Sequence, residues 1–313
     1  MSRRASRIIH YVNVMFPPAV LVPASILKFY GIYFSFQLIH GVTDLSFNLE
    51  SASAAITLTT FTLLARVYDE LKDAEADMRL GKAGDPRYAD RPIVTGAVLV
   101  EDIVFFRNIL IGILILTNIW LPPMALIGFA VAFLAVWLSS VWFFYPKISE
   151  SLFLALLTHN PLVLFIQGYV LMFFYSQFPD ATFTVEVIPL MIGLWLPMAA
   201  WEISRKQRIP EDETDYETYS KMWGWKVASL VPSVIVVMAT ALLLHSGSVM
   251  GLPETWAYVM MGVTVIPILA GLRFRLSPST KTSHLQPFTE AYILTCDLSI
   301  FVAQVVTFGA IWI

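Results

Sequence analysis

Three aspartates follow the second apolar stretch of the chain at intervals of four residues: Asp69, Asp73 and Asp77. The segment around them contains Ala, Leu, Glu and Lys and lacks Gly and Pro, so it favours a helix. At about 100° per residue, the three carboxylates would lie within roughly 80° of one helix face. A divalent cation would convert the repulsion between these like charges into attraction. Because magnesium (Mg2+) typically takes one or two carboxylates together with substrate phosphates and water, the row predicts a magnesium–diphosphate site.

The same residues are equally compatible with a solvated amphipathic helix, in which Lys72 and Arg79 balance the acids. The spacing does not separate these two interpretations. The residues that follow, Asp90-Arg91-Pro92 and then Gly96, indicate by themselves only a loop and a turn before the next helix.

A second charged segment begins at Glu202, where another apolar stretch ends. On a helix, Glu202 would share a face with Arg205 and with Lys206. Arg205, Lys206 and Arg208 place three cations within four residues, and such a group could grip a diphosphate, arginine as a fork and lysine as a point charge. The alternative is a basic cluster that only anchors the end of a membrane helix.

The composition identifies the kind of protein that carries these segments. Of the 313 residues, 57% are apolar and 14% are charged, and the mean hydropathy is +0.70. These values exclude a soluble globular enzyme and a disordered chain. A net charge of −3 without a basic block argues against nucleic acid as a partner. One cysteine, Cys296, excludes an internal disulfide and a cysteine-based metal site.

The apolar stretches predict a polytopic membrane protein, since a spanning helix needs about 20 mainly apolar residues. Nine such stretches are predicted, at residues 17–39, 49–67, 103–121, 123–144, 151–175, 184–203, 226–245, 253–272 and 289–312. All of the 20 Lys and Arg residues except Lys28 and Arg107 fall at the amino terminus or in alternate connections. By the positive-inside rule, the amino terminus is predicted to be cytoplasmic and the carboxyl terminus outside.

Two of the predicted cytoplasmic segments, residues 68–101 and 204–225, are long and polar, whereas the predicted outside loops are short. No internal repeat or second domain is evident, so residues 1–313 are predicted to form one membrane domain. The short loops favour a bacterial inner membrane. The working surface is expected at the cytoplasmic side, or in a cavity that opens there.

Taken together, these features resemble the UbiA superfamily of intramembrane prenyltransferases, over nearly the whole chain. The first segment looks like the family's Asn-Asp-x-x-Asp-type motif, with Asp69, Asp73 and Asp77 in the acidic positions. Arg91-Pro92 and Gly96 are similar to the family's Arg-Pro…Gly stretch. Tyr68 replaces the usual Asn. In the second motif, Glu202 and Lys206 stand where the family pattern has Asp-x-x-x-Asp, which puts a second magnesium site in doubt.

The resemblance implies an all-α fold in which nine transmembrane helices ring a central cavity, and the two cytoplasmic helix-loop segments form a cap. It also implies that magnesium bridges the Asp-rich motif to a polyprenyl diphosphate, and that a lipophilic or aromatic acceptor attacks the resulting allylic cation. Some members of the superfamily are class I terpene cyclases, which need no acceptor. A non-catalytic transporter or lipid-binding membrane protein is a third interpretation, but the charged residues cluster at one face and leave little polar lining at the midplane.

On this basis the metal ligands are predicted to be Asp69, Asp73 and Asp77, and the catalytic residues Asp69, Asp73, His159 and Asn160. The predicted substrate-binding residues are Arg66, Lys72, Arg91, Glu202, Arg205, Lys206, Arg208 and Tyr219. His159 lies about nine residues into the fifth predicted span, where it could act as a general base or serve as a hydrogen-bonded interior residue. Pro161, two residues later, is expected to kink this helix.

Two ionisable residues lie at similar depths in the first and ninth predicted spans: Lys28 and Asp297. Ionisable residues at membrane depth usually face the protein interior. If the ring closes as in the family, these two spans are neighbours. We therefore expect a Lys28–Asp297 ion pair, with closure of the ring favoured over a role in catalysis.

Overall fold

The structure is a computed structural model, and it describes residues 3–84, 88–141, 148, 151–213 and 217–313. Residues 85–87 and 214–216 of the two charged segments, and 142–144 of the predicted fourth span, lie outside the described residues. The helices are α1 (Arg3–Met15), α2 (Pro18–Ile39), α3 (Leu49–Lys82), α4 (Pro92–Thr95), α5 (Val100–Asn118), α6 (Pro123–Ser140), α7 (Leu152–His159), α8 (Leu162–Gln177), α9 (Val187–Ser204), α10 (Tyr219–Trp223), α11 (Trp225–Ala228), α12 (Val231–Val249), α13 (Glu254–Leu276) and α14 (Gln286–Phe308). Two short strands, β1 (Ser46–Phe47) and β2 (Ile311–Trp312), pair in parallel.

The fold is all-α, as predicted, and every predicted span coincides with a long helix or a pair of consecutive helices. Among the described residues, seven of these helical stretches are long and apolar enough to cross a membrane, so the chain is a multi-pass integral membrane protein. The predicted second and third spans lie on α3 and α5, which are not among the seven. In α5 the first eight residues include three charged ones: Glu101, Asp102 and Arg107.

Helix α3 carries the acidic row directly out of the apolar bundle. It begins with a reciprocal cap, in which Asn48 Oδ1 accepts from the Ser51 N–H (2.7 Å) and Ser51 Oγ accepts from the Asn48 N–H (2.9 Å). From there the helix continues without a break to Lys82. The helix predicted around Asp69, Asp73 and Asp77 is thus confirmed, and the three acids occupy fixed positions along it.

The fifth predicted span is broken, as the proline predicts. Helix α7 ends at His159 and α8 begins at Leu162, because Pro161 between them has no N–H to donate to the preceding turn. Asn160 at the break accepts a hydrogen bond from Trp195 Nε1 (2.8 Å) and donates to the Met198 carbonyl (3.3 Å), both on α9. The break is therefore held against α9 by side-chain hydrogen bonds.

The long helices form a closed circuit in which each packs against the next along the chain, and α14 packs against α2. We refer to the contact between α14 and α2 as the closing seam. Lys28 Nζ lies 3.4 Å from Asp297 Oδ2 across it, so the predicted ion pair is present. Further along the seam, Gln304 Nε2 donates to Ser35 Oγ (2.7 Å) and to the Gly31 carbonyl (3.1 Å). The seam that closes the ring is thus polar on both helices.

The amphipathic helix α1 precedes the first span. Its Arg7 forks onto Asp102 at the start of α5, with Nε 2.6 Å and Nη2 2.9 Å from the two carboxylate oxygens, and Arg4 Nε donates to the same group at 3.2 Å. Asp102 is fully buried, and its charge is matched by this pair of arginines. These contacts fix the amino-terminal helix at the end of the bundle where α5 begins and α3 ends.

Candidate functional site

The acidic helix and the second charged segment meet at one indole ring, that of Trp201 on α9. The Arg66 guanidinium carbon, on α3, lies 5.0 Å from the ring centroid, and that of Arg205 lies 5.3 Å from it. The indole Nε1 donates to Glu290 Oε1 on α14 (2.9 Å). Cation–π contacts of this kind are favourable in partly desolvated sites. The charged ends of α3, α9 and α14 therefore lie together, and we refer to this end of the molecule as the charged end.

Asp69 and Asp73 are exposed at the charged end, one helical turn apart. Lys72 Nζ lies 3.0 Å from Asp69 Oδ1, and the lysine itself is largely covered, since its ammonium also lies 3.5 Å from the Ser139 carbonyl at the end of α6. Asp73 lies beyond the predicted second span, and the surrounding protein raises the pKa of its carboxyl; Lys72 opposes this shift, and Asp69 adds to it. Two neighbouring carboxylates are thus accessible from one side of α3.

Asp77 was expected to share the open face of the helix with Asp69 and Asp73. Its carboxylate is instead buried and forms an ion pair with Arg91. The row advances by about 40° for every four residues. By Asp77 it has turned from the open face into the contact between α3 and the segment leading to α4. Arg91, predicted to bind substrate, is engaged in this ion pair, so Asp69 and Asp73 are the members of the row that remain exposed.

Glu70 is a charged residue that the sequence reasoning missed. It is buried, its Oε1 lies 4.0 Å from Arg91 Nη1, and that oxygen has no hydrogen-bond partner among the described residues. Burial raises the pKa of Glu70 from 4.5 to about 7; Arg91 opposes the shift, and Asp77 adds to it. Glu70 follows Asp69 and lies about 100° around the helix from it, so it falls outside the four-residue spacing. Its burial depends on how other helices pack against α3.

The buried Glu70 predicts a pH-dependent stability. Since its pKa is higher in the folded protein than in the unfolded chain, its stabilising contribution is complete below about pH 4.5 and is lost as the pH rises to about 7. Glu70→Gln is expected to remove a dependence worth at most about 3 kcal/mol. Thermal unfolding of the purified protein between pH 5 and pH 8 measures this, with Glu75→Gln, an exposed acid on the same helix, as the matched control. A pH dependence as steep in Glu70→Gln as in the control would contradict it.

In the second segment, the carboxylate of Glu202 is shared by two cations. Arg205 forks onto it, with Nε 2.6 Å and Nη2 2.9 Å from the two oxygens, and Lys206 Nζ lies 3.1 Å from Oε1. Glu202 is therefore engaged by cations of its own segment. The ion pairs hold Arg205 and Lys206 at the end of α9, and the indole of Trp201 lies against Arg205.

Two further residues predicted to bind substrate shape this segment. The Arg208 N–H donates to Ser220 Oγ (2.8 Å), and the Tyr219 N–H donates to the Lys206 carbonyl (3.2 Å). The Tyr219 ring is fully buried and lies 5.0 Å, centroid to centroid, from that of Trp223. These contacts fold residues 217–223 back onto the end of α9.

His159 lies at the break between α7 and α8, and its Nδ1 is 2.9 Å from the Thr158 hydroxyl. The side-chain amide of Asn160, in contrast, is hydrogen-bonded to α9 through both its oxygen and its nitrogen.

The carboxylates at the charged end are suited to a metal that takes few protein ligands. Within the described ranges, no group of three or more His, Cys, Asp or Glu side chains comes together as a preformed metal cage. Asp69 and Asp73 offer two accessible carboxylates on neighbouring turns. This arrangement fits magnesium, which commonly binds proteins through one or two carboxylates and takes its other ligands from phosphates and water.

The sequence matches no protein-family model and no curated protein. Its fold is similar to that of solved membrane proteins. One is a UbiA homolog from Aeropyrum pernix K1, in its apo form, with a TM-score of 0.66 at 16% identity, covering 91% of this chain and 98% of the other. Another is described as digeranylgeranylglyceryl phosphate synthase in membranes, with a TM-score of 0.60 at 16% identity, covering 96% and 99%. The resemblance inferred from the sequence is thus confirmed at the level of the fold, and the chain has the UbiA-type all-α membrane fold.

Proposed function

We propose that the protein is a magnesium-dependent intramembrane prenyltransferase, which ionises a polyprenyl diphosphate and transfers the prenyl group to a lipophilic or aromatic acceptor. One observation carries the proposal: Asp69 and Asp73 are exposed at the end of the molecule where Trp201 gathers Arg66 and Arg205. Metal-ligating carboxylates next to fixed cations match the needs of a diphosphate leaving group. The shared fold supports the proposal, because one similar structure is described as a prenyl-lipid synthase. The charged end would then face the cytoplasm.

The chemistry follows from the charges on each segment. The carbon–oxygen bond to the diphosphate breaks, and the bonding electrons leave with the diphosphate. Magnesium bound by Asp69 and Asp73 would neutralise this developing negative charge. Arg205 and Lys206, held in position by Glu202, supply further positive charge from the opposite segment.

The apolar helices would hold the isoprenoid tail and exclude water, which would otherwise capture the allylic cation. The acceptor forms the new bond to that carbon and then loses a proton. His159, at the break between α7 and α8, is the proposed base for this proton. The acceptor is a molecule that enters from the membrane and carries a nucleophilic carbon or heteroatom.

The test is a product assay on membranes that contain the protein. Geranyl, farnesyl and geranylgeranyl diphosphates are supplied with magnesium, first alone and then with lipophilic and aromatic acceptors, and extracts are examined by mass spectrometry. The proposal expects a prenylated acceptor whose formation requires magnesium and is absent from an Asp69→Ala/Asp73→Ala double variant.

Other results of this assay would replace the proposal. A hydrocarbon or terpene alcohol formed without an acceptor would make the protein a terpene cyclase. Transport of a lipid or solute, without any magnesium-dependent release of diphosphate, would favour a transporter or lipid-binding protein. Substrate length and acceptor would follow from the combination that gives the highest turnover.

A further inference from the structure

A groove separate from the acidic face opens between α3, α5 and α6. Its volume is about 500 Å³. Residues 68, 71 and 72 of α3 line it and share one helix face, and Asp69 and Asp73 lie roughly 100° and 140° around the helix from Tyr68. None of the described lining residues is acidic. Lys72 lies at the boundary between the groove and the acidic face, because its ammonium is also 3.0 Å from Asp69 Oδ1. The groove is lined, among others, by Tyr68, Lys72, Arg107, Ile111, Phe133 and Trp137.

Arg107 is the unusual residue of this groove. It lies seven residues after the first residue of α5, about 10 Å along the helix and inside the predicted third span. Its Nε and Nη2 donate to the neutral Asn108 Oδ1 at 3.2 and 2.9 Å. Across the part of the chain that the structure describes, no carboxylate forms an ion pair with Arg107. An arginine at this depth is costly unless an anion compensates its charge.

The groove has a cationic end and an apolar end. Lys72 and Arg107 both line it, together with the buried Tyr68. One turn further from the charged end, Ile111 follows on α5. On α6, which ends beside Lys72, Trp137 and then Phe133 lie progressively further from that end. The polarity of the groove is thus that of a membrane lipid, with the headgroup towards the charged end.

We propose that this groove binds an anionic phospholipid of the adjacent leaflet. Its phosphate would lie between Arg107 and Lys72, and one acyl chain along Ile111 and Phe133. Basic pockets between membrane helices are suited to anionic headgroups. A phosphodiester needs no metal, and none of the described residues that line the groove is a carboxylate that could hold the metal of a prenyl diphosphate. The proposal does not depend on the enzymatic function proposed above.

Lipid binding to the purified full-length protein in neutral detergent tests the proposal. Native mass spectrometry would compare phosphatidylglycerol with phosphatidylcholine of the same acyl chains. We expect wild type to prefer phosphatidylglycerol and Arg107→Gln to lose about tenfold in affinity for it, as befits removal of a charged hydrogen-bonding partner. The matched control is Arg273→Gln, an exposed cation of α13 outside the groove, which should bind as wild type does.

Arg107→Lys guards against a variant that fails to fold, because it keeps the charge and should retain most of the preference. Equal binding of the two lipids by wild type would overturn the proposal, as would equal losses in Arg107→Gln and Arg273→Gln. Glycerol phosphate that displaces the lipid at similar concentrations would show a site for free phosphate. Displacement of phosphatidylglycerol by magnesium-free farnesyl diphosphate at concentrations below that of the lipid would assign the groove to the substrate and overturn the proposal.

Discussion

Replacing Asp69 or Asp73 with alanine is expected to lower prenyl-transfer turnover by a factor of about 10²–10³ while leaving the protein folded. The expectation follows from their position, since both carboxylates are exposed at the charged end. Loss of either would weaken the hold on magnesium, and the charge that develops on the leaving diphosphate would be poorly neutralised. Steady-state turnover of the purified variants, measured across a range of magnesium concentrations, gives the size of the effect.

The matched control for this prediction is Glu75→Ala. Glu75 is exposed on the same helix but points away from the face shared by Asp69 and Asp73, so its loss should leave turnover unchanged. Thermal unfolding of each variant separates loss of chemistry from loss of fold. Wild-type turnover in both purified aspartate variants would refute the metal assignment. A higher magnesium requirement with recoverable turnover would place the carboxylate at the metal.

Breaking the ion pair between Lys28 and Asp297 should destabilise the protein by about 3–5 kcal/mol, the range for a buried pair that loses one partner. The two groups lie 3.4 Å apart and are mostly covered, across the seam where α14 closes against α2. Lys28→Met would leave a carboxylate, and Asp297→Asn an ammonium, without its counter-charge at membrane depth. Thermal unfolding in detergent should therefore show a clear decrease in Tm for either single variant.

The double variant Lys28→Met/Asp297→Asn distinguishes a pair from two separate effects. Because neither charge is then left alone, it should recover much of the lost stability, and the double-mutant cycle should give a coupling of more than about 1 kcal/mol. Additive losses, or single variants that unfold like wild type, would show that the seam does not depend on this pair. Turnover per folded molecule tests the catalytic alternative, and we expect it to change little.

Much of the architecture could be predicted from the order of residues alone. Apolar runs of about 20 residues predict membrane helices because unpaired backbone polar groups are costly in lipid. The predicted apolar stretches lie on the long helices of the structure. Pro161 predicted the break between α7 and α8 because the missing N–H is a local property. The Lys28–Asp297 pair was predictable from the matching depths of the two charges only together with the family resemblance, which implies a closed ring in which the first and ninth spans are neighbours.

The composition of the candidate site was only partly predictable. The spacing of Asp69, Asp73 and Asp77 could be read directly, but the pairing of Asp77 with Arg91 depends on how α4 packs against α3. Burial of Glu70 follows from the same packing. Arg205 lies four residues after Trp201, so its contact with the indole is local, but no local pattern indicated that Arg66, about 135 residues earlier in the sequence, would lie against the same ring.

The membrane character, the helices and the axial position of each charge follow from the order of residues, because hydrophobicity and helical rise act along one segment. Whether each of those charges is paired, buried or exposed depends on how the helices pack together. The rotation of each helix about its axis decides this, and it is set by side chains of other helices. For this reason Asp69 and Asp73 remain exposed at the charged end, Asp77 is paired, and Arg107 lies in a groove without a carboxylate among the described residues that line it.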